Sequence, residues 1–280
     1  MFRHDSMKIK KMAVPQLVSC EWLNERIKSG NLDKIVIVDV SWASTKDCRQ
    51  DYNKQHIQGA RYIDVLSAEH TDMYPRNIPT VEAFTLVAQQ AGINSDSHII
   101  VYSNSDRAGY FMAGRGWWTF RHFGHKNVSI LDGGLSKWLQ LGYPTTDQCT
   151  DIQPGNFVAS IDESVYRSYD EVKDNVKTDK FQVLDTRPNT AHTESSIPGA
   201  KNVFMADLVD NERGTLKSED ELRQVFSSAG VDLSQPLVTH CYSGMSSCAV
   251  AFTAELLGAK QVSVFHGGFT EWKKKQGEDK

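Results

Sequence analysis

Val128-Ser-Ile-Leu-Asp-Gly-Gly-Leu-Ser-Lys-Trp138 and Val262-Ser-Val-Phe-His-Gly-Gly-Phe-Thr-Glu-Trp272 are one pattern written twice in the same chain. An apolar run of strand composition, a pair of glycines and a short segment ending on tryptophan recur in the same order. Working outward, the repeat extends upstream in step. Ile99-Ile-Val-Tyr102 is answered by Leu237-Val-Thr-His240, His56-Ile-Gln-Gly-Ala-Arg61 by Ser196-Ile-Pro-Gly-Ala-Lys201, and Val38-Asp39 by Leu184-Asp185. Four matches in one order mean two copies of one fold. Each copy alternates short apolar strands with helical patterns such as 80–90 and 219–229, which requires crossover connections and a mostly parallel sheet covered by helices. The predicted fold class is therefore α/β, with two tandem domains at 14–142 and 163–275. Residues 143–162, with Pro144, Pro154, Gly155 and many polar neighbours, read as the linker.

A chain of 280 residues is long enough for two domains with cores of their own, and 40% apolar with 24% charged residues is ordinary globular composition. A net charge of −4 and a pI near 6.1 give no electrostatic footprint for nucleic acid or an anionic membrane surface. No apolar run reaches membrane-spanning length. The five cysteines are scattered, odd in number and without the close pairs of a zinc site, so a reducing compartment and no metal are expected. The first dozen residues carry Arg3, Lys8, Lys10 and Lys11 but lack the apolar core of a secretory signal. The reading is cytoplasmic, with the mitochondrion as second choice.

The chemistry is sought where a strand hands over to a helix, because ligand sites of such sheets lie at the carboxyl ends of strands. Leu237-Val-Thr-His240 ends in Cys241-Tyr-Ser-Gly-Met-Ser-Ser247, and Ala249, Val250, Phe252, Ala254, Leu256 and Leu257 continue as an apolar helix up to Gly258. A cysteine on that turn faces backbone NH groups and the positive end of a helix, both of which favour the thiolate. Gly244 supplies the torsional freedom of a tight loop, and the serines leave the anion accessible. The plainer reading of Cys241 is a small buried apolar residue; its glycine and serine context favours the nucleophile.

These residues resemble the tandem rhodanese-domain sulfurtransferases. The resemblance rests on Asp39-Val-Ser-Trp42, His56-Ile-Gln-Gly-Ala60, Ala113-Gly-Arg115-Gly-Trp117-Trp118, Phe123-Gly-His125 and Leu131-Asp-Gly-Gly134 in the first copy. In the second it rests on Asp185-Thr-Arg187, Ile197-Pro-Gly-Ala200, the Cys241 loop and His266-Gly-Gly-Phe-Thr-Glu-Trp272. It implies a catalytically silent first domain, where Ser103 takes the place of the cysteine, and a second domain whose Cys241 cycles through a persulfide. It implies a small-molecule sulfur donor and an acceptor such as cyanide, a small thiol or thioredoxin, with no cofactor. Thiosulfate enzymes of the family follow their cysteine with basic residues, whereas mercaptopyruvate enzymes read Cys-Gly-Ser-Gly-Val-Thr. Here Cys241, Ser243, Gly244 and Ser246 match the latter, and Tyr242 departs from it. The expected donor is thus 3-mercaptopyruvate, with thiosulfate as the alternative and a non-catalytic binding protein of the same fold as the third reading.

By the same resemblance, Ser243 moves a proton near the thiolate and Asp64 belongs to its relay. Tyr242, Gly244, Met245, Ser246 and Ser247 contact the donor, and Arg187 binds its carboxylate. Arg76 and Asn77 occupy the place of the relay histidine, with His70 nearby, and no second arginine lies between Pro188 and Ser196, so Arg107 is a candidate substitute. A phosphatase of similar loop shape would need an arginine where Ser246 and Ser247 stand. Trp117, Trp118 and Trp138 read as core and interface aromatics, His122 and His125 as structural histidines, and Cys248 as a buried apolar residue.

Overall fold

A computed structural model describes residues 14–105, 107–149 and 151–278; the basic N-terminal segment read above lies outside the described residues. The first domain holds strands β1 (Leu17–Val18), β2 (Ile35–Asp39), β3 (Arg61–Tyr62), β4 (His98–Tyr102) and β5 (Val128–Leu131) in the order β1-β5-β4-β2-β3. The second holds β6 (Tyr166–Arg167), β7 (Gln182–Asp185), β8 (Lys201–Asn202), β9 (Leu237–His240) and β10 (Val262–Phe265) in the order β6-β10-β9-β7-β8. Exchanging each strand for its counterpart turns one order into the other, and every pairing in both sheets is parallel. The repeat seen in the sequence is thus a repeat of topology.

Helices α1 (Cys20–Lys28), α2 (Cys48–Lys54), α3 (Val81–Gln90), α4 (Tyr110–His122) and α5 (Gly134–Gln140) serve the first sheet. The second has α6 (Tyr169–Thr178), α7 (Asn189–Glu194), α8 (Glu219–Ser228), α9 (Ser246–Leu256) and α10 (Gly268–Glu278). The helices expected at 80–90 and 219–229 start where short polar side chains cap them. Thr80 Oγ1 accepts from the Ala83 amide, and Ser218 forms a capping box with Glu221.

Strands buried on both faces need apolar side chains at every position, which is why β4 reads Ile99-Ile-Val-Tyr102 without alternation. Successive side chains still point to opposite faces. Val36, Val38, Ile99 and Val101 enter one core, and Ile37, Ile100 and Tyr102 another. The first of these cores continues into the second domain through Leu237, Val250 and Phe252, so the inner faces of both sheets share one apolar interior.

The seam of that interior is α4 against α9, the two helices that follow equivalent strands. They approach so closely that a Cβ on Gly114 would lie 2.6 Å from Ala249 Cα. Trp117 meets Phe252 edge-on at 5.3 Å, Tyr110 Oη bonds Thr253 Oγ1 at 2.8 Å, and Arg121 pairs with Glu255 at 3.0 Å. Trp118 donates its indole NH to the Val165 carbonyl at 2.9 Å, and Trp138 to that of Pro144 at 3.0 Å. All three tryptophans play the packing roles read from sequence.

The segment read as a linker is strapped to the first domain. Thr145–Thr146 pairs antiparallel with His56–Ile57. Gly155, Phe157 and Ser160 donate their amides to Gln89, Ile93 and Phe123. Phe157 and Ala159 are buried while Asn156 and Val158 are exposed, a period-two pattern hidden within polar composition.

Gly114→Val is expected to lower unfolding stability by about 1–3 kcal/mol through overpacking at the α4–α9 seam. Urea denaturation measures this, and an unchanged midpoint would show that the helices part without penalty.

Candidate active site

Cys241 follows β9 directly, and its loop is held from several sides. The Phe269 amide donates to the Cys241 carbonyl at 2.7 Å and the Thr270 amide to that of Tyr242 at 3.1 Å, so the first turn of α10 grips the loop backbone. Gly244 has φ +70°, and a Cβ there would lie 2.6 Å from His266 Cδ2 and 2.7 Å from the His266 carbonyl oxygen. Both torsion and space demand glycine. The chain then turns into α9 so that the Met245 amide points at Cys241 Sγ, 3.1 Å away. Ser247 Oγ lies 3.7 Å from the same sulfur. Cys241 itself is 4% exposed, at the N-terminus of an eleven-residue helix whose dipole favours negative charge. The equivalent position of the first domain holds Ser103, fully buried, with Oγ donating to the Gly109 carbonyl at 2.7 Å.

A cleft of about 280 Å³ opens onto the loop. The first domain lines it with Trp42, Arg76 and Phe111, and the second with Thr186, Arg187, Pro188, Phe204, Cys241, Tyr242, Ser243, Met245 and Ser246. The structure therefore brings together Cys241, Tyr242, Ser243, Met245, Ser246 and Arg187 of the residues picked from sequence. Ser246 Oγ bonds Thr186 Oγ1 at 2.8 Å. Ser247 is fully buried behind the sulfur rather than in the cleft wall, and its hydroxyl lies within reach of Sγ. Asp64 is not among the lining residues; its Oδ1 accepts from the Leu66 amide at 2.9 Å and closes a local turn. His70 is likewise outside the cleft and accepts from the Asn77 amide. The side chain of Arg107 lies outside the described residues.

Arg187 lines the cleft but is already engaged. Nε sits 2.9 Å from Asp185 Oδ1, and Nη2 sits 2.6 Å from Asp185 Oδ2 and 2.7 Å from the Ser195 carbonyl. Its plane rests 3.8 Å from the Phe269 ring centroid, with the half-exposed Tyr242 at 5.1 Å. Burial alone would raise the Asp185 carboxyl, but the Arg187 hydrogen bonds together with His240 and the His192 hydrogen bond hold that group below the ordinary carboxylate range.

In the sequence Arg76 stands out only for occupying a histidine's place. Its guanidinium lies 4.5 Å from the Trp42 centroid and Nη1 donates to the Pro75 carbonyl at 2.6 Å. Among the described residues it has no carboxylate partner. Burial pushes the Cys248 thiol up to about 12, so it stays neutral, and its Sγ donates to the Gly244 carbonyl at 3.2 Å. Among the described residues no group of three His, Cys, Asp or Glu is placed to hold a metal ion, and no helix is long and apolar enough to cross a membrane.

A duplicated parallel α/β fold that keeps a cysteine sulfur at a helix N-terminus in one copy and a hydroxyl at the equivalent place in the other defines a tandem-repeat protein with a thiol-bearing loop in its second copy. The chain belongs to the rhodanese-like domain family, which matches residues 19–141 and 168–275. It is 36% identical over 273 residues to thiosulfate sulfurtransferase of Cricetulus griseus, with 91% of each chain covered. To 3-mercaptopyruvate sulfurtransferase of Homo sapiens it is 34% identical over 281 residues, covering 93% of this chain and 94% of that one. The crystal structure of Escherichia coli SseA, described as a 3-mercaptopyruvate sulfotransferase, matches with a TM-score of 0.80 at 30% identity, over 90% of this chain and 98% of that one. The two donor classes stand at nearly the same identity, so the choice between them must come from the site.

His122 and His240 are both buried, and burial lowers each to about 4. In the unfolded chain each titrates near 6.5, so between these values the unfolded state binds more protons and stability falls as pH drops. Each histidine should remove roughly 3 kcal/mol across that window. Urea midpoints between pH 7.5 and 4.5 should decline accordingly, with a shallower decline in His122→Gln. A flat profile would contradict the assignment of these rings as neutral.

Proposed function

We propose that this sulfurtransferase takes sulfur from 3-mercaptopyruvate, holds it as a persulfide on Cys241 and delivers it to a thiol such as thioredoxin or a small thiol, or to cyanide. The observation that carries the donor choice is where the cleft keeps its charge. No basic side chain follows Cys241 in its loop, and Arg187 is neutralised by Asp185. Among the described residues that line the cleft, the cation without a carboxylate partner is Arg76, contributed by the first domain. A donor with one carboxylate separated from its sulfur by a carbonyl carbon and a methylene suits that arrangement. Arg76 meets the carboxylate with charge-assisted hydrogen bonds, Trp42 and Phe111 flank the carbon skeleton, and the hydroxyls of Ser243 and Ser246 serve the keto oxygen. Thiosulfate brings two negative charges directly to the reacting sulfur, where the loop offers amides and hydroxyls.

The transfer balances without an external oxidant. The Cys241 thiolate attacks the donor sulfur and forms the S–S bond while the C–S bond breaks, its electron pair leaving on carbon as the enolate of pyruvate. The proton that came in on the donor thiol passes to that carbon, with the Ser243 hydroxyl as the carrier in reach of the cleft. An acceptor thiolate then attacks the outer sulfur and returns Cys241 as thiolate. Amide and hydroxyl donors at the sulfur stabilise the anion in both half-reactions.

Wild type is expected to show a higher kcat/KM with 3-mercaptopyruvate than with thiosulfate when one acceptor is used for both. Arg76→Ala should lower the mercaptopyruvate value by about tenfold or more, chiefly through KM. Arg187→Ala, which strips the guanidinium from the buried Asp185 carboxylate and leaves it with His192 Nδ1 at 3.1 Å and the backbone amide of residue 187, should weaken both donors alike and lower stability. A better rate with thiosulfate, or equal losses with both donors in Arg76→Ala, transfers the assignment to thiosulfate.

A further inference from the structure

Arg115, in the middle of α4 of the first domain, is fully buried. Among the described residues it has no carboxylate partner. Its Nη1 donates to the Gly244 carbonyl at 2.8 Å, its Nη2 to the carbonyls of Arg76 at 3.2 Å and Asn77 at 3.3 Å, and its guanidinium lies 5.2 Å from the Trp118 centroid. Nε has no partner. Burying an unpaired guanidinium opposes folding, and an apolar side chain of similar length would fit such a site at lower cost. Its presence therefore calls for another reason.

That reason lies in the peptide it touches. The Gly244 carbonyl and the Met245 amide belong to one peptide unit, and that amide is the donor 3.1 Å from Cys241 Sγ. A cation on the oxygen end fixes the peptide plane and draws electron density away from nitrogen, which strengthens the N–H dipole at the far end. The Cys248 thiol donates to the same oxygen at 3.2 Å, so two donors pull on it together. The other guanidinium nitrogen holds the backbone of Arg76 and Asn77, whose outer carbonyl is also gripped by His266 Nε2 at 2.9 Å. One side chain of the first domain thus ties the sulfur cradle of the second to the cleft wall that carries Arg76.

We propose that Arg115 is a positioning residue for sulfur transfer: acting through the Gly244–Met245 peptide, it stabilises the anionic sulfur of Cys241, as thiolate and as persulfide. The first domain, silent at Ser103, then contributes to the chemistry from within its interface helix. The inference rests on Cys241 being the sulfur carrier, though not on the identity of the donor.

The test compares wild type, Arg115→Met, Arg115→Lys and Cys248→Ala in the full chain. Three readouts are taken: the pH profile of Cys241 alkylation by iodoacetamide, the single-turnover rate of sulfur uptake, and the melting temperature. In Arg115→Met the alkylation midpoint should move to higher pH and sulfur uptake should slow by about tenfold or more, the scale of one hydrogen bond from a charged donor. Its melting temperature should hold or rise. Arg115→Lys should recover part of both changes. Cys248→Ala, which removes the neutral donor and keeps the arginine, should move both in the same direction by a smaller factor; it also carries the test if Arg115→Met does not fold. An unchanged alkylation profile in the folded variants, with activity following only the folded fraction, overturns the proposal in favour of a packing role. Alkylation needs no sulfur donor, so a wild type inert toward both donors would defeat the functional reading while leaving this comparison intact.

Discussion

The hydrogen bond from the Met245 amide to the sulfur of Cys241 is the contact around which this molecule is arranged. A sulfur with almost no water contact is surrounded by fixed dipoles instead, and the Met245 amide at 3.1 Å and the start of α9 both face it. That geometry exists only if the loop turns tightly, which requires the positive φ of Gly244 and the missing side chain against His266. It persists because the first turn of α10 takes the carbonyls of Cys241 and Tyr242 and because Arg115 takes that of Gly244.

The duplicated fold gives each half a different part of this task. Both copies carry a strand, a turn and an inner helix at the same place in the sheet, and the two inner helices pack on each other. In the second copy the helix N-terminus faces Cys241. In the first the corresponding turn is closed by the Ser103 hydroxyl on the Gly109 carbonyl, and the helix instead sends Arg115 and Trp117 across the seam. The cleft needs both halves, since Trp42, Arg76 and Phe111 form one side and the cysteine loop the other. Separating the domains would remove Arg76 from the cleft and the arginine behind the cradle together.

The fold was legible in the sequence because its signals are local and doubled: strand runs, glycine pairs and helical patterns each occur twice in one order. The cysteine loop was legible for the same reason, since strand, glycine and helix are contiguous. What escaped depends on docking between distant segments. Arg76 and Arg115 are ordinary arginines until the first domain is laid on the second. Arg187 read as a free carboxylate binder because nothing in Asp185-Thr-Arg187 announces that the end of β7 folds the arginine back onto the aspartate two residues before it. Ser247 turns its hydroxyl toward the sulfur because the helix starts at Ser246, a boundary that sequence places only within a few residues. The strap at 155–160 was hidden by polar neighbours that cover the alternation of Phe157 and Ala159.

Sulfur transfer by this chain stands or falls on Sγ of Cys241 being the one atom that carries sulfur. Mass analysis of wild type after treatment with donor and no acceptor, followed by peptide mapping under non-reducing conditions, addresses this directly. One added sulfur located on the peptide containing Cys241, and no addition in Cys241→Ser, is the result the structure predicts. Added sulfur that survives in Cys241→Ser, or that maps to Cys20, Cys48, Cys149 or Cys248, would contradict it.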